Sequence, residues 1–365
     1  MSFNILGLGT AVPPHNMTQS EAYELAIKLA QPEAGTARAL KVLYHKSGVQ
    51  QRRTAIPHER ALDFQIPPDG AAQQSQSGPQ SAPQSGPSMR ERMQLFEEHA
   101  LPLAAEAARH ALADAHLPPE KISHLITVCC TGFAAPGVDL GLIRLLRLPP
   151  TTERIHVGFM GCHGALNGMR AGLAITTAQP AARVLLCAVE LCSLHFRFGW
   201  DPERFLGNVL FADGAGAVVG GAGGSGWQVV ASGSCLLPDS LDAMTWKLGN
   251  HGFEMTVSPR VPDLIRQYLR PWLSDWLKRQ NLSLNEIESW AIHPGGPRIL
   301  SAVSECLELP ASATTVSREI LANYGNMSSP TVLFILEQLR QVRAPTPCVA
   351  LAFGPGLAAE VLLIR

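Results

Sequence analysis

The sequence predicts an α/β protein made of two similar βαβ-rich halves packed about a pseudo-twofold axis, and three observations carry that prediction. Short aliphatic runs alternate with helical patterns along the chain. A set of segments recurs at a nearly constant spacing. One polar tract interrupts an otherwise apolar composition, so the rest of the chain is continuous enough to form a single core.

The alternation is clearest in the aliphatic runs Ile122 to Cys130, Ile143 to Leu148 and Val184 to Val189, set among helical patterns. The repetition is more specific. Residues Leu117 to Ile126 resemble Leu282 to Ala291 at an offset of 165. Gly161-Cys162 and Gly325-Asn326 each precede a helical segment at an offset of 164, and the strand opening at Arg183 matches the one opening at Cys348 at 165. The first strands, Ile5 to Gly9 and Val229 to Gly233, match at an offset of 224, so the first half carries 59 extra residues early on. We therefore divide the chain into halves of 1–222 and 223–365. Part of the excess is the tract 67–88, where Pro67-Pro68-Asp69-Gly70 leads into Gln, Ser, Gly and Pro. Such a segment cannot bury enough apolar surface to offset its ordering entropy, and it is expected to be a disordered surface insertion.

Composition excludes several function classes. Of 365 residues, 46% are hydrophobic and 16% charged, against about 25% charged in an average soluble protein. The 29 Lys and Arg balance 30 Asp and Glu, a net charge of −1, which leaves no basic excess for a nucleic-acid backbone. Phe3 to Gly9 reads as a strand and turn with no basic leader, and no apolar run approaches the roughly 20 residues of a membrane span. A cytoplasmic protein is expected. None of the eight cysteines falls at zinc-site spacing, so no metal is expected and most are read as buried thiols.

Three punctuated segments carry the chemistry. In Val157-Gly158-Phe159-Met160-Gly161-Cys162-His163-Gly164 a strand passes into a helix with Cys162 at the turn. A thiol there faces free N–H groups, which predicts a pKa lowered from about 8.5 toward 3.5 to 7.5. In Trp290-Ala291-Ile292-His293-Pro294-Gly295-Gly296-Pro297 a strand ends on His293. In Asn323-Tyr324-Gly325-Asn326-Met327-Ser328-Ser329-Pro330, Asn326 precedes a helix that begins near Ser328 to Pro330. Singly, these read as a buried thiol, a satisfied histidine and a helix cap. Together, the duplication sets Cys162 and Asn326 at corresponding helix starts, with His293 at a neighbouring strand end and no carboxylate expected nearby. Two neutral donors beside a thiolate form an oxyanion hole for a thioester tetrahedral intermediate or an enolate. Acyl transfer followed by decarboxylation of a malonyl group needs nothing more.

Gly161-Cys162, His293-Pro-Gly-Gly-Pro, Tyr324-Gly-Asn-Met-Ser-Ser and Phe353-Gly-Pro-Gly-Leu357 resemble, in order, the motifs of the chalcone and stilbene synthase family, the type III polyketide synthases. The resemblance runs from about residue 3 to 365 apart from the polar tract. It implies the thiolase fold, a duplicated five-layer αβαβα sandwich, usually homodimeric and free of cofactors, acting on an acyl-CoA starter and malonyl-CoA. It also implies roles: Cys162 carries the acyl chain, His293 and Asn326 donate to the thioester carbonyl, and Phe211 matches a gatekeeper between coenzyme A tunnel and cavity. The chain departs from the plant enzymes at Met255, in place of a second gatekeeper phenylalanine, at Trp246 for a glycine, and at His195 and Cys130 for threonines. These changes imply a small or narrow cavity. Lys46 matches a residue that holds coenzyme A phosphates, while two upstream basic positions do not match, leaving Arg38, Lys41, Arg52 or Arg298 as substitutes. The implied activity is decarboxylative Claisen extension and cyclisation to a pyrone or phenolic ring. The alternatives are an initiating ketoacyl synthase that draws on acyl carrier protein, and a catalytically silent thiolase-fold binding partner.

Overall fold

The structure, a computed structural model, describes residues 2–30, 32–60, 86–198, 205–224 and 226–365. Its strands are β1 (Phe3–Ala11), β2 (His15–Thr18), β3 (Gln51–Thr54), β4 (His124–Cys129), β5 (Glu153–Gly158), β6 (Arg183–Leu191), β7 (Asp213–Gly221), β8 (Gln228–Leu236), β9 (Met244–Gly249), β10 (Gly252–Val257), β11 (Ser289–Ile292), β12 (Cys348–Gly354) and β13 (Ala358–Ile364). Its helices are α1 (Gln19–Ala30), α2 (Ala34–His45), α3 (Met89–Asp114), α4 (Val138–Leu146), α5 (Gly164–Ala178), α6 (Leu206–Leu210), α7 (Val261–Lys278), α8 (Pro297–Leu307), α9 (Thr315–Tyr324) and α10 (Thr331–Gln341).

Nine strands form one sheet in the order β11-β12-β13-β8-β1-β7-β6-β4-β5. Outward from the antiparallel β1–β8 contact, both wings repeat one pattern. An antiparallel strand (β7 or β13) is followed by another (β6 or β12) and then by a parallel one (β4 or β11). Parallel neighbours require a crossover through a helix, and the crossover helices α5 and α10 lie between the wings. Helix α5 packs against strands of both wings, among them β4, β6, β8 and β13, and α10 does the same with β1, β7, β11 and β12. Leu166 and Met169 of α5 and Leu333, Phe334 and Leu336 of α10 share one buried core with Ile126, Val218, Ala350 and Leu362 from the strands. Helices α3 and α4 cover the outer face of one wing, and α7 and α8 that of the other. This is the five-layer αβαβα arrangement of the thiolase fold. The two wings are nevertheless one continuous sheet, because Phe3 and Asn4 pair with Val229 and Gln228 and join them.

The repeated decapeptides form the same local structure. The 3₁₀ turns Pro119–Lys121 and Leu284–Glu286 lead into β4 and β11. The aliphatic run Ile143 to Leu148 is instead mostly the end of helix α4. Leu142 and Leu146, four residues apart, are its buried face, and a short apolar run does not by itself distinguish strand from buried helix. The insertion 67–88 lies outside the described residues except for its last three. Of these, Ser88 caps α3: its hydroxyl accepts from Glu91 N–H while its own N–H donates to the Glu91 carboxylate at 2.7 Å. Among the described residues no helix is long and apolar enough to cross a membrane.

Helix α3 lies close on β1 because the helix presents alanines and the strand presents Gly7 and Gly9. A Cβ on Gly7 would sit 2.2 Å from the Ala111 carbonyl oxygen, and one on Gly9 would sit 2.3 Å from Ala111 N. These neighbours are backbone and cannot turn aside. Gly7→Ala should therefore cost about 1–3 kcal/mol of stability, seen as a lower denaturant midpoint at unchanged slope. An unshifted midpoint would contradict this packing.

Candidate active site

Two turns of the same design open the central helices. Gly161 (φ 67°) precedes Cys162 and His163 ahead of α5, and Gly325 (φ 73°) precedes Asn326 ahead of α10. Both glycines are in the left-handed region and in close contact. A Cβ on Gly161 would meet Pro355 Cδ at 2.4 Å, and one on Gly325 would meet Ala212 Cβ at 2.9 Å.

Asn326 is fixed through its backbone. Its N–H donates to Leu210 O and its carbonyl accepts from Ala212 N–H, both at 2.9 Å, so Asn326 and Phe211 form a parallel bridge. Its side-chain Oδ1 accepts from Ser328 N–H at 2.8 Å, which leaves the amide nitrogen to donate. The side chains of Asn326 and Ser328 lie beside the Cys162 thiol and each acts to lower its pKa. Ser328 is held at φ 56°, an unusual conformation for a residue with a Cβ. His293 follows β11 with its N–H bonded to Leu351 O at 2.8 Å. Its ring is buried and neither ring nitrogen has a hydrogen-bond partner. The end of β12 brings these segments together, since Gly354 and Pro355 contact the Cys162 turn while β12 itself holds His293.

The electrostatics differ from the sequence expectation in two ways. Burial pushes the Cys162 thiol up to about 11, with the Glu190 charge adding to the rise and Ser328 and Asn326 opposing it. The helix start was expected to lower this pKa, but desolvation of the thiolate outweighs it. A carboxylate is also present where none was expected. Glu190 of β6 is fully buried and accepts from Cys130 N–H and Thr131 N–H at 3.0 Å, Thr131 Oγ1 at 2.7 Å and Ser329 Oγ at 2.8 Å. Burial raises its pKa. His293 is pushed down to about 3 by burial and by the neighbouring His163. His163 is itself buried with Nδ1 2.6 Å from Asn167 Oδ1, and burial lowers its pKa too. Cys162 and His293 are thus both neutral at rest. Either charge alone is costly here.

Phe211, Met255, Trp246 and His195 line one narrow cavity of about 30 Å³ with Cys192, Asn208 and Phe253. Trp246 and Met255 face each other across the β9–β10 hairpin. The His195 ring is spent on structure: Nε2 meets Thr131 O at 2.6 Å and Nδ1 accepts from Phe253 N–H at 3.2 Å. Cys130 is not part of this wall. Its sulfur accepts from Gly161 N–H at 3.0 Å, directly behind the Cys162 turn.

Lys46, with Arg38 and Lys41, is exposed on or just after α2, and Arg298 is exposed at the start of α8. The two segments adjoin, since a Cβ on Gly48 would contact Pro297 at 3.8 Å. Arg52 does not belong to this basic rim. It is fully buried and donates to Asn208 O at 2.9 Å, Phe211 O at 2.8 Å and Val209 O at 2.6 Å, and to Gln19 Oε1. It satisfies the carbonyls at the end of α6 and positions Phe211, so its guanidinium is not available to phosphates.

The sequence alone did not mark Ser328, Glu190 and His163 as neighbours of Cys162. Ser328 and His163 lie inside motifs already singled out, so adjacency was the available signal. Glu190 ends an aliphatic run and carries no local signal.

The chain matches two family models in succession: the N-terminal domain of chalcone and stilbene synthases over residues 2–224 and their C-terminal domain over residues 228–365. It is 32% identical to the alpha-pyrone synthesis polyketide synthase-like Pks18 of Mycobacterium tuberculosis, over 98% of this chain and 90% of that one. It is 33% identical to 1,3,6,8-tetrahydroxynaphthalene synthase of Streptomyces peucetius subsp. caesius, over 99% and 93%. Among solved structures, PKS-I of the brown alga Ectocarpus siliculosus superposes with a TM-score of 0.89 at 29% identity, covering 100% of this chain and 98% of that one.

If Cys162 becomes reactive only by passing its proton to His293, then His293→Ala should slow iodoacetamide labelling of Cys162 at pH 7 by at least about 100-fold. The rate should recover only as pH approaches the high thiol pKa. Labelling at the parent rate at pH 7 would show that the thiolate forms without this histidine.

Proposed function

This chain belongs to the chalcone and stilbene synthase family and is a type III polyketide synthase, and from that premise we propose how its residues perform the reaction. Cys162 gives its proton to His293 and attacks the carbonyl of an acyl-CoA starter. The acyl group moves to the sulfur and coenzyme A leaves as the free thiol, taking up the proton. Malonyl-CoA then binds with its thioester oxygen toward Asn326 and His293. Loss of CO₂ leaves an enolate whose negative oxygen those donors hold. The enolate carbon attacks the Cys162 thioester, forms the new carbon–carbon bond and returns the sulfur as thiolate, releasing a β-ketoacyl-CoA lengthened by two carbons. This sequence balances with no cofactor.

The observation that carries the reading is the convergence at Cys162. Asn326 and Ser328 lie beside the thiol and favour its ionised form, and the same Asn326 is bridged to Phe211 on the cavity wall. Neutral donors suit both oxyanions. Phe211 is the gate between this cavity and a coenzyme A passage whose rim holds Lys46, Arg38, Lys41 and Arg298. Met255, Trp246 and His195 form the cavity wall and Cys130 backs the nucleophile's turn. The names of the relatives, an alpha-pyrone synthase-like enzyme and a tetrahydroxynaphthalene synthase, support a product cyclised to a pyrone or a phenolic ring.

The mirrored strand order supports two halves, 1–222 and 223–365. Homodimerisation is supported by β5, an edge strand with Ile155 exposed, beside the exposed Phe133, Leu140, Leu145 and Phe159. Eight free cysteines and coenzyme A substrates suit the cytoplasm. No observation favours the acyl-carrier-protein or the silent-partner reading.

Purified protein given malonyl-CoA and a series of acyl-CoA starters should release CO₂ and form pyrone or phenolic products, and no CO₂ with any starter would refute the activity. Asn326→Ala should slow decarboxylation by about 10²–10³-fold and acyl loading on Cys162 by less. Equal losses in the two steps would remove Asn326 from the enolate's donors.

A further inference from the structure

Gln19 stands where four segments meet. It opens α1, and its half-buried side chain engages three other elements. Nε2 donates to Ser47 Oγ at 2.8 Å and to Val209 O at 3.0 Å, and Oε1 accepts from the buried guanidinium of Arg52. Ser47 follows Lys46 in the turn that ends α2. It is buried, and its hydroxyl donates to Tyr44 O at 2.7 Å and accepts from Val49 N–H at 3.2 Å. Val209 lies in α6, two residues before Phe211, and Arg52 donates to the carbonyls of both. Phe211 in turn is bridged to Asn326. A contiguous chain of hydrogen bonds therefore runs from the turn beside Lys46, through one amide, to the segment that carries Phe211 and Asn326. No step of the mechanism uses Gln19.

An amide suits this position because it donates and accepts at once. A carboxylate could not donate to Val209 O, and an apolar side chain would serve neither that carbonyl nor Arg52. The nucleotide end of coenzyme A undergoes no chemistry, so binding energy gained there speeds the reaction only if the protein carries it to the reacting centre. Resting on the polyketide synthase reading and on the rim assigned to Lys46, we propose that Gln19 is a positioning residue that couples the phosphates of a coenzyme A thioester at the Lys46 turn to the Phe211–Asn326 unit. A phosphate drawn to Lys46 fixes the turn. Ser47 and Gln19 then hold Val209 and Phe211 in register, and Asn326 is set against the thioester oxygen. A thioester without the nucleotide reaches the same site and lacks this support, so the enzyme selects full coenzyme A thioesters by rate as well as by affinity.

Two substrates and two variants, compared by kcat for CO₂ release, separate coupling from local structure. Malonyl-CoA carries the phosphates, and malonyl-pantetheine ends before them. In the parent the truncated substrate should be slower in kcat by about tenfold, within the roughly 5–150-fold range of coupling between sites. Gln19→Met removes the amide and keeps its length, and Ser47→Ala removes the hydroxyl on the rim side and leaves Gln19 its bonds to Val209 and Arg52. Each should lower kcat with malonyl-CoA about tenfold, to the parent's rate with malonyl-pantetheine, and change the latter rate by less than about twofold. That retained rate also shows that the variants are folded. The same fractional loss with both substrates in both variants, a parent-like kcat with malonyl-CoA in either, or a parent equally fast with both substrates would overturn the coupling. No CO₂ from the parent with malonyl-CoA would instead overturn the polyketide synthase reading on which it rests.

Discussion

The site depends on the short bridge that joins Phe211 to Asn326. Two backbone hydrogen bonds of 2.9 Å tie the segment after α6 to the turn before α10, across 115 positions of sequence. Gly325 permits this because its positive φ and missing Cβ let the turn close against Ala212 and Leu210. Arg52, bonded to three carbonyls of the same segment, holds it from behind. Cavity wall and Asn326 are thus parts of one hydrogen-bonded unit. A displacement of Phe211 would carry Asn326 with it.

Burial sets the chemistry. The thiol pushed up to about 11 and the imidazole pushed down to about 3 describe a resting site with no free charge on either group. Such a site does not hold a standing thiolate for other electrophiles to consume. In the proposed mechanism it becomes nucleophilic by internal proton transfer, with Asn326 and Ser328 beside the sulfur and the imidazole itself taking up the positive charge. Glu190 fits the same pattern: enclosed by N–H and hydroxyl donors, it ties the segments of Cys130, Thr131 and Ser329 together behind the nucleophile.

What the sequence revealed and what it concealed follow from the range of the forces involved. Gly161 and Gly325 were legible because a repeated turn needs the same residue twice. The strand after each 3₁₀ turn was legible because its apolar residues recur at a fixed offset. Ile143 to Leu148 could not be classed from its apolar residues alone, since buried helix and buried strand share them. The direction of the Cys162 pKa could not be read, because a helix start is written locally while desolvation comes from segments distant in sequence. Arg52 and Glu190 were hidden for a related reason. Charged residues are ordinarily exposed, and only the fold reveals which ones are enclosed by carbonyls or by N–H groups.

The central claim is that one of eight free cysteines carries the growing chain. It is tested most directly by mixing the protein with an acyl-CoA starter, quenching in acid within seconds, digesting, and locating the acyl mass on peptides by mass spectrometry. The account predicts a single thioester adduct on the Cys162 peptide. An adduct on Cys130 or Cys192, or acyl groups spread over several cysteines, would contradict it.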